Sequence, residues 1–309
     1  MTTMLFARHE ASRAAAPAGR SAAQRAADQP AEIIDDPRIE RFDLAAEAGA
    51  ASWHIQVARP AGPPPAGCAV LYLLDGDATF PLAWHAQAAA GIRDLALVGI
   101  GYPGGRRIDV RRRYYDLTPP TAAEYMRVRD PAVRTGGQDA FLDFIAGPLR
   151  DAVARIAQPD PARQTLFGHS LGGLFALHAM MTRPALFRSY AAADPSIWWN
   201  GQSILREAAA FAGGIDAAGG TLARPVRLQI ETSGSLPPTL GRARDDAARE
   251  GEEPAAHGLA HRLAAIAGFE VYLRHEAHET HGSLMAPSTV DAVAFAAGAV
   301  PDGVQRLAR

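Results

Sequence analysis

Short uninterrupted apolar runs alternate along the chain with stretches whose apolar residues recur at helical spacing. The runs Cys68–Leu74 and 95–100 are typical of strands that are buried on both faces of a parallel sheet. Further strands are predicted at 165–167, Ser189–Ala193, 226–230 and 270–274, and helices at 81–90, 139–157, 174–181, 202–211 and 256–267. This alternation predicts an α/β fold with a mostly parallel central sheet and helices on both faces.

The N-terminal part of the chain follows a different pattern. Two strand-like segments within 38–60, joined by a turn around Gly49, predict an antiparallel pair at one edge of the sheet. Residues 1–32 are rich in alanine and arginine without a continuous apolar core, so they predict a flexible tail that precedes a single domain over 33–309. We expect a cytoplasmic protein, although such a tail would also suit an organelle-targeting peptide.

The overall composition narrows the possible partners. Hydrophobic residues make up 48% and charged residues 21% of the 309 residues, and the net charge is -2. Neither nucleic acid nor a membrane is therefore an expected partner, and no stretch is long and apolar enough for a membrane span. The only cysteine, Cys68, lies in an apolar run and excludes a disulfide within the chain.

A short motif in the middle of the chain carries the clearest chemical signal. Residues 168–172 read Gly-His-Ser-Leu-Gly, which is the G-x-S-x-G form, and they stand between a predicted strand and a helical pattern. In that context the chain turns so sharply that the corner serine exposes its hydroxyl, and the flanking glycines let strand and helix approach closely. The motif predicts a nucleophilic Ser170; the alternative is a glycine-rich turn that only packs.

Three histidines follow the last predicted strand, and one of them is the predicted base. In this kind of fold the order along the chain is nucleophile, acid and then histidine. His275 lies almost within the strand and His278 in a polar loop, whereas His281 precedes Gly282 in a compact loop, which favours His281. A metal site is the competing interpretation, but no carboxylate pattern accompanies the H-x-x-H-x-x-H spacing, so we expect neither metal nor cofactor.

Loops after the other predicted strands are expected to form the walls of the site. The segment Asp75-Gly76-Asp77 follows the strand that in this architecture supplies one oxyanion-hole N–H, and Leu171 supplies the other. Residues 106–120 contain five arginines and two tyrosines, which suit either a solvated loop or a wall that grips an anionic aromatic substrate. Paired tryptophans in the loop 194–199 are expected to line a pocket.

Six segments together resemble the putative-esterase branch of the α/β-hydrolases. They read LYLLDGD, VGIGYP, RRRYYDLTP, FGHSLGGLFALHAM, ADPSIWWN and HGSL, in that order from residue 71 to residue 284. Within this branch the chain is most similar to ferric-siderophore esterases that open enterobactin-like and salmochelin-like trilactones. The resemblance covers about two-thirds of the chain, and relatives that carry the same motifs act on other esters.

The resemblance implies roles for individual residues. It implies Ser170 as nucleophile, His281 as base, an oxyanion hole from two backbone amides, and a set of substrate-binding side chains; the amides are those of Asp77 and Leu171, and the side chains are Arg112, Arg113, Tyr102, Trp198 and Trp199. The acid is less clear, because the loop after the strand 226–230 departs from the pattern of many relatives. Glu231 is the predicted acid, with Asp194 as the alternative; a dyad without a third member is also possible.

These observations predict a serine carboxylic-ester hydrolase without a cofactor. The expected substrate is the ester backbone of a catecholate siderophore trilactone, ferric or iron-free, whose hydrolysis would release iron. One alternative is a hydrolase of short acyl esters or thioesters. A second is a binding protein with this fold and no turnover, which the presence of both Ser170 and His281 disfavours.

Overall fold

A computed structural model describes residues 27–47, 49–62, 66–126, 130–235 and 252–308. These residues form one nine-stranded sheet in the order β1-β2-β4-β3-β5-β6-β7-β8-β9. The strands are Ile39–Ala45 (β1), Ser52–Ala58 (β2), Cys68–Leu74 (β3), Leu95–Gly101 (β4), Pro159–His169 (β5), Ser189–Ala193 (β6), Thr221–Ser235 (β7), Ala267–Thr280 (β8) and Gln305–Arg306 (β9).

The strand pairing follows the sequence expectation. Every pair from β4 through β3, β5, β6 and β7 to β8 is parallel. The pair β1 and β2 is antiparallel and occupies one edge, as predicted, and the short β9 is antiparallel to β8 at the other. The prediction of a mostly parallel sheet with an antiparallel N-terminal edge is therefore confirmed.

Helices cover both faces of the sheet. They are Gly76–Ala89 (α1), Val110–Asp116 (α2), Gln138–Phe144 (α3), Arg150–Ala157 (α4), Leu171–Thr182 (α5), Trp199–Ala217 (α6), Glu252–Ala264 (α7) and Met285–Ala296 (α8). Alternate side chains of β3 point to opposite faces: Tyr72 belongs to the core cluster that includes residues of α3, α4 and α5, and Leu73 to the one that includes residues of α1 and α8. This two-sided burial explains why the central strands read as continuous apolar runs.

Several elements differ from the predicted ones at their boundaries. The helix predicted at 139–157 is interrupted by a π turn, Ile145–Leu149, which contains Pro148. Proline lacks an N–H and its ring displaces the preceding carbonyl, so a regular α-helix cannot continue through it. Strand β8 runs to Thr280, six residues beyond the predicted end, because it pairs with an equally extended β7.

The described chain begins before the predicted start of folded structure near Ile33. Ala31 N–H donates to the Gly105 carbonyl at 3.0 Å, and Pro30 forms an isolated bridge with Arg106. Residues 1–26 of the predicted tail lie outside the described residues, and the single domain over 33–309 stays a prediction. Among the described helices, none combines the length and apolar character that a membrane span requires; the cytoplasmic location stays a prediction.

Candidate active site

Ser170 occupies the corner between β5 and α5. Its backbone has φ 61° and ψ -117°, a conformation that a side chain-bearing residue rarely adopts. The corner closes because Gly168 lies against Gly172: a Cβ on Gly168 would stand 2.3 Å from the Gly172 carbonyl carbon. A hydrogen bond from Ser170 N–H to the Ala193 carbonyl, at 2.9 Å, ties the corner to β6. The serine is therefore presented at the carboxyl edge of the sheet.

The structure brings Ser170, His281 and Asp194 into one hydrogen-bonded line. The Nε2 atom of His281 lies 3.0 Å from Ser170 Oγ, and its Nδ1 atom lies 2.8 Å from Asp194 Oδ2. With the proton on Nδ1 donated to the carboxylate, Nε2 is free to accept the serine proton. The arrangement can therefore generate a serine alkoxide equivalent, the first requirement of nucleophilic catalysis.

Asp194 is held by more than the histidine. Ser233, on β7, donates its N–H to Asp194 Oδ1 at 3.1 Å and its hydroxyl to Oδ2 at 2.6 Å. Burial opposes ionisation, but the hydrogen bonds from His281 and Ser233 outweigh it, so the pKa of Asp194 lies below its ordinary value. An ionised Asp194 is the form that fixes the histidine ring.

Glu231, the predicted acid, lies elsewhere. Its side chain is buried within β7 and is hydrogen-bonded to Gln229, and no hydrogen bond joins it to His281 among the described residues. Burial and the nearby Asp291 carboxylate raise the pKa of Glu231 to about 8, so it is protonated at neutral pH. The structure therefore corrects the prediction: the alternative, Asp194, contacts the histidine. Asp194 follows β6 with φ 42°, which turns its carboxylate toward the next strands.

The other two late histidines occupy a different element from His281. Both lie within β8, so the polar loop predicted around His278 is strand. His275 Nδ1 lies 3.0 Å from Thr232 Oγ1, on the neighbouring β7. His281 is different because it follows the end of β8, in the turn before α8.

The segment predicted to supply one oxyanion amide lies at the start of α1. The carboxylate of Asp77 accepts hydrogen bonds from Gln56 Nε2 and Tyr102 N–H, both at 3.1 Å. These two bonds fix the side chain of Asp77. Neither the Asp77 nor the Leu171 N–H has a hydrogen-bond acceptor among the described residues. Both are first-turn amides, of α1 and α5 respectively, which have no acceptor within their own helix. Their assignment as an oxyanion hole stays a prediction.

Arg113 is engaged inside the protein. Its guanidinium forms two hydrogen bonds of 2.9 Å to the carboxylate of Asp75, and the Asp75 side chain is 1% exposed. Two of its nitrogens, Nε and Nη2, therefore face a carboxylate of the protein. A role for Arg113 in substrate binding stays a prediction.

Arg112 and Tyr102 are likewise occupied. Arg112 donates to the Ser52 carbonyl at 3.2 Å, lies 3.6 Å from Asp116, and covers the rings of Trp53 and Tyr102. Tyr102 is buried, and burial followed by the Asp116 carboxylate raises the pKa of its phenol. Both side chains therefore pack against neighbouring residues of the protein. Their role in substrate binding stays a prediction.

The two tryptophans have different environments. Trp199 is fully buried, with its Nε1–H donated to Thr121 Oγ1 at 2.9 Å, so it does not line a pocket. Its ring packs in the hydrophobic core, and its only side-chain donor is hydrogen-bonded. Trp198 is partly buried and packs edge-on against Trp199 with the ring centroids 5.4 Å apart. A role for Trp198 in substrate binding stays a prediction.

Three residues that contact Ser170, His281 or Asp194 were not identified from the sequence. Ser233 contacts Asp194, as described above, and Ser196 Oγ lies 3.2 Å from Ser170 Oγ. His169 donates Nε2–H to the backbone carbonyl of His281 at 2.7 Å; burial and the adjacent His281 lower the pKa of His169 to about 3, so it is neutral. Ser196 could have been found from its position, because it lies two residues after Asp194 in the same loop. No sequence feature marks Ser233, because its partner Asp194 lies 39 residues away.

The structure describes no cluster suited to a metal ion. Within the described ranges, no three histidine, cysteine, aspartate or glutamate side chains converge in that way. The expectation that no cofactor is needed stays a prediction.

Comparisons with known proteins agree with this architecture. The model of a family described as Putative esterase matches residues 48–221. The siderophore triacetylfusarinine C esterase of Aspergillus fumigatus is 44% identical over 191 residues, and the ferri-bacillibactin esterase BesA of Bacillus subtilis is 38% identical over 167 residues. These matches cover 57% and 50% of this chain and 61% and 57% of the relatives, so less than two thirds of either relative is spanned.

A solved structure covers more of the fold. The siderophore hydrolase EstB of Aspergillus nidulans is 30% identical and superimposes with a TM-score of 0.68, over 86% of this chain and 97% of its own. The sheet order and the positions of the helices therefore belong to the α/β-hydrolase fold.

Proposed function

Because the chain belongs to the Putative esterase family, we propose that it is a serine hydrolase that cleaves the ester bonds of a siderophore. The observation that carries this proposal is the Ser170–His281–Asp194 line, with a strained serine and both histidine nitrogens within 3.0 Å of their partners. A binding protein without turnover has no need for that strain, which disfavours the non-catalytic alternative.

The reaction follows from these contacts. Ser170 Oγ attacks the ester carbonyl carbon while His281 Nε2 takes the hydroxyl proton, and the amides of Asp77 and Leu171 hold the oxygen that becomes negative. The intermediate collapses to an acyl-serine when His281 returns the proton to the leaving alkoxide. Water then attacks the acyl-serine with His281 as base again, which releases the carboxylic acid and restores Ser170.

The siderophore substrate is proposed from the names of three relatives, which are a siderophore triacetylfusarinine C esterase, a ferri-bacillibactin esterase and a siderophore hydrolase. The catecholate trilactone is one member of this class. The arginines that would have favoured an anionic catecholate, Arg112 and Arg113, are bound to Asp116 and Asp75, so they no longer argue for that member. Short acyl esters remain the second candidate, because Ser170, His281 and Asp194 do not by themselves select an acyl group.

A product profile separates these substrates. We expect purified protein to convert cyclic siderophore esters, offered with and without iron, to linear products that mass spectrometry identifies. The panel contains one catecholate trilactone, one hydroxamate ester macrocycle and a p-nitrophenyl acetate control. Ser170→Ala should abolish turnover of all three, with kcat lowered by about 10⁴-fold or more. Hydrolysis of the aryl ester without any siderophore product would instead favour a general esterase.

A further inference from the structure

The largely buried guanidinium of Arg113 contacts the two strand ends that precede the proposed oxyanion amides. We propose that Arg113 is a positioning residue: it holds the end of β3 and the end of β5 at a fixed separation, so that the amides of Asp77 and Leu171 converge on one oxygen. This inference rests on the proposed serine hydrolase function. The Arg113 clamp is defined as Arg113 with the Asp75 carboxylate and the His169 carbonyl.

The first contact of the clamp is at the end of β3. Arg113 Nε and Nη2 each donate to one oxygen of Asp75 at 2.9 Å, a two-point geometry that fixes both the position and the plane of the carboxylate. Asp75 has φ 50° and ψ 49° and stands two residues before Asp77. Since a strained backbone persists only where its surroundings hold it, the ion pair is a suitable support for this corner.

The second contact is at the end of β5. Arg113 Nη2 also approaches the His169 carbonyl at 3.4 Å, and His169 immediately precedes Ser170. The Asp75 carboxylate lies close to the same region, because a Cβ on Gly172 would be 3.7 Å from its Oδ2. One guanidinium therefore spans the two corners from which the two amides project.

Burial and charge argue against a direct substrate role. The side chains of Arg113 and Asp75 are 12% and 1% exposed. If Arg113 turned outward to a substrate, it would leave a buried carboxylate without its counter-charge, which is strongly unfavourable. Asp75 without Arg113 would also place an unbalanced negative charge beside the developing oxyanion.

The experiment compares a neutral aryl ester with an oxyanion mimic. With p-nitrophenyl acetate, Arg113→Gln should lower kcat about 100-fold, the typical effect of losing one oxyanion donor, with little change in KM. The inhibition constant of an aryl trifluoromethyl ketone, which forms an oxyanion on a serine, should rise by about the same factor. A purely structural role would not make these two losses proportional.

Two further variants control for folding and for charge. Arg111→Gln, on the same helix, removes an exposed ion pair with Asp130 and should leave activity unchanged. The double variant Asp75→Asn with Arg113→Gln removes the unpaired charge, so it should fold like the wild type while its kcat stays low. If Arg113→Gln alone does not fold, the double variant decides.

Three results with the variants would overturn the inference. One is a double variant with wild-type kcat; another is a variant that loses activity on an anionic siderophore only, which would make Arg113 a substrate contact. The third is a loss in kcat without a matching loss of trifluoromethyl ketone affinity. The siderophore proposal can fail separately, because the aryl ester alone reports on the clamp. A wild type inactive on both esters would overturn both proposals.

Discussion

Two acidic residues that are neighbours in space, Asp194 at the end of β6 and Glu231 within β7, have different surroundings. Asp194 N–H donates to the Glu231 carbonyl at 2.7 Å, so their backbones are directly joined. Asp194 receives hydrogen bonds from Ser233 and His281, whereas one oxygen of Glu231 has no partner among the described residues. The first environment favours a carboxylate and the second a neutral carboxylic acid.

We expect exchange of each acid for its amide to affect catalysis at Asp194 and not at Glu231. Asp194→Asn should lower kcat by about 10²–10⁴-fold, because an amide no longer selects the histidine tautomer that leaves Nε2 unprotonated. Glu231→Gln should leave kcat unchanged, since a neutral side chain replaces a neutral one. Steady-state kinetics on p-nitrophenyl acetate measures both. A large loss in Glu231→Gln with normal Asp194→Asn would restore Glu231 as the acid.

The site residues that could be predicted from the sequence are those that a local motif marks. Ser170 and His281 were identified because a G-x-S-x-G corner and a turn after the last strand are local features. The position of the acid depends on which strands are neighbours and on the φ of a single residue, so the sequence left Asp194 and Glu231 both open. The composition of the loops did not show which residues Arg112, Arg113 and Trp199 would contact. Their partners lie 4, 38 and 78 residues away in the chain.

At the scale of elements, the turn from β5 to α5 depends on absent side chains. Gly168 and Gly172 meet backbone to backbone, so no rotamer change can make room for an added methyl group. The glycines in the middle of α6 contrast with them, because a Cβ on Gly213 would contact nothing within 4 Å.

We therefore expect alanine at Gly168 and alanine at Gly213 to change the free energy of unfolding in opposite directions. Gly168→Ala should lower the free energy of unfolding by about 3 kcal/mol or more and abolish activity, because the corner must open. Gly213→Ala should raise it by about 0.5–1 kcal/mol, since alanine loses less entropy than glycine in a helix. Urea unfolding checks both values. A stable and active Gly168→Ala would contradict the close approach.

Element boundaries were predicted best where the chain itself signals them. The strand Cys68–Leu74 was predicted with its observed bounds, because apolar residues fill it and polar ones follow. The extension of β8 to Thr280 was missed, since its polar residues, such as His278, gain strand geometry only by pairing with β7. The break within 138–157 was also missed, although Pro148 is a local signal for it.

For the whole molecule, burial of Glu231 couples stability to pH. In the folded protein its pKa is about 8 against 4.5 for the free group, owing first to burial and then to Asp291; Arg274 acts in the opposite direction and Glu276 in the same one. Between these values the folded state keeps a proton that the unfolded chain releases. The stabilisation is complete below 4.5 and is lost as the pH rises toward about 8.

Glu231→Gln should remove this dependence. We expect the variant to gain stability over the wild type as the pH rises, by up to about 1.4 kcal/mol per pH unit between the two pKa values. Urea unfolding at three pH values measures the difference, with Glu40→Gln, at an exposed ion pair with Arg59, as the matched control. A stability difference that does not vary with pH would show that Glu231 ionises normally.

The order of the triad residues along the chain has a consequence for protein synthesis. Asp194 follows β6, but His281 follows β8, so the base is 111 residues later than the serine that it contacts. Ribosomes add about 5–20 residues per second, so roughly 6–22 s separate the appearance of these two residues. Throughout that interval Ser170 lacks the histidine that it contacts in the folded protein. Under the proposed function, the protein would become reactive only after nearly all of its sheet has been made.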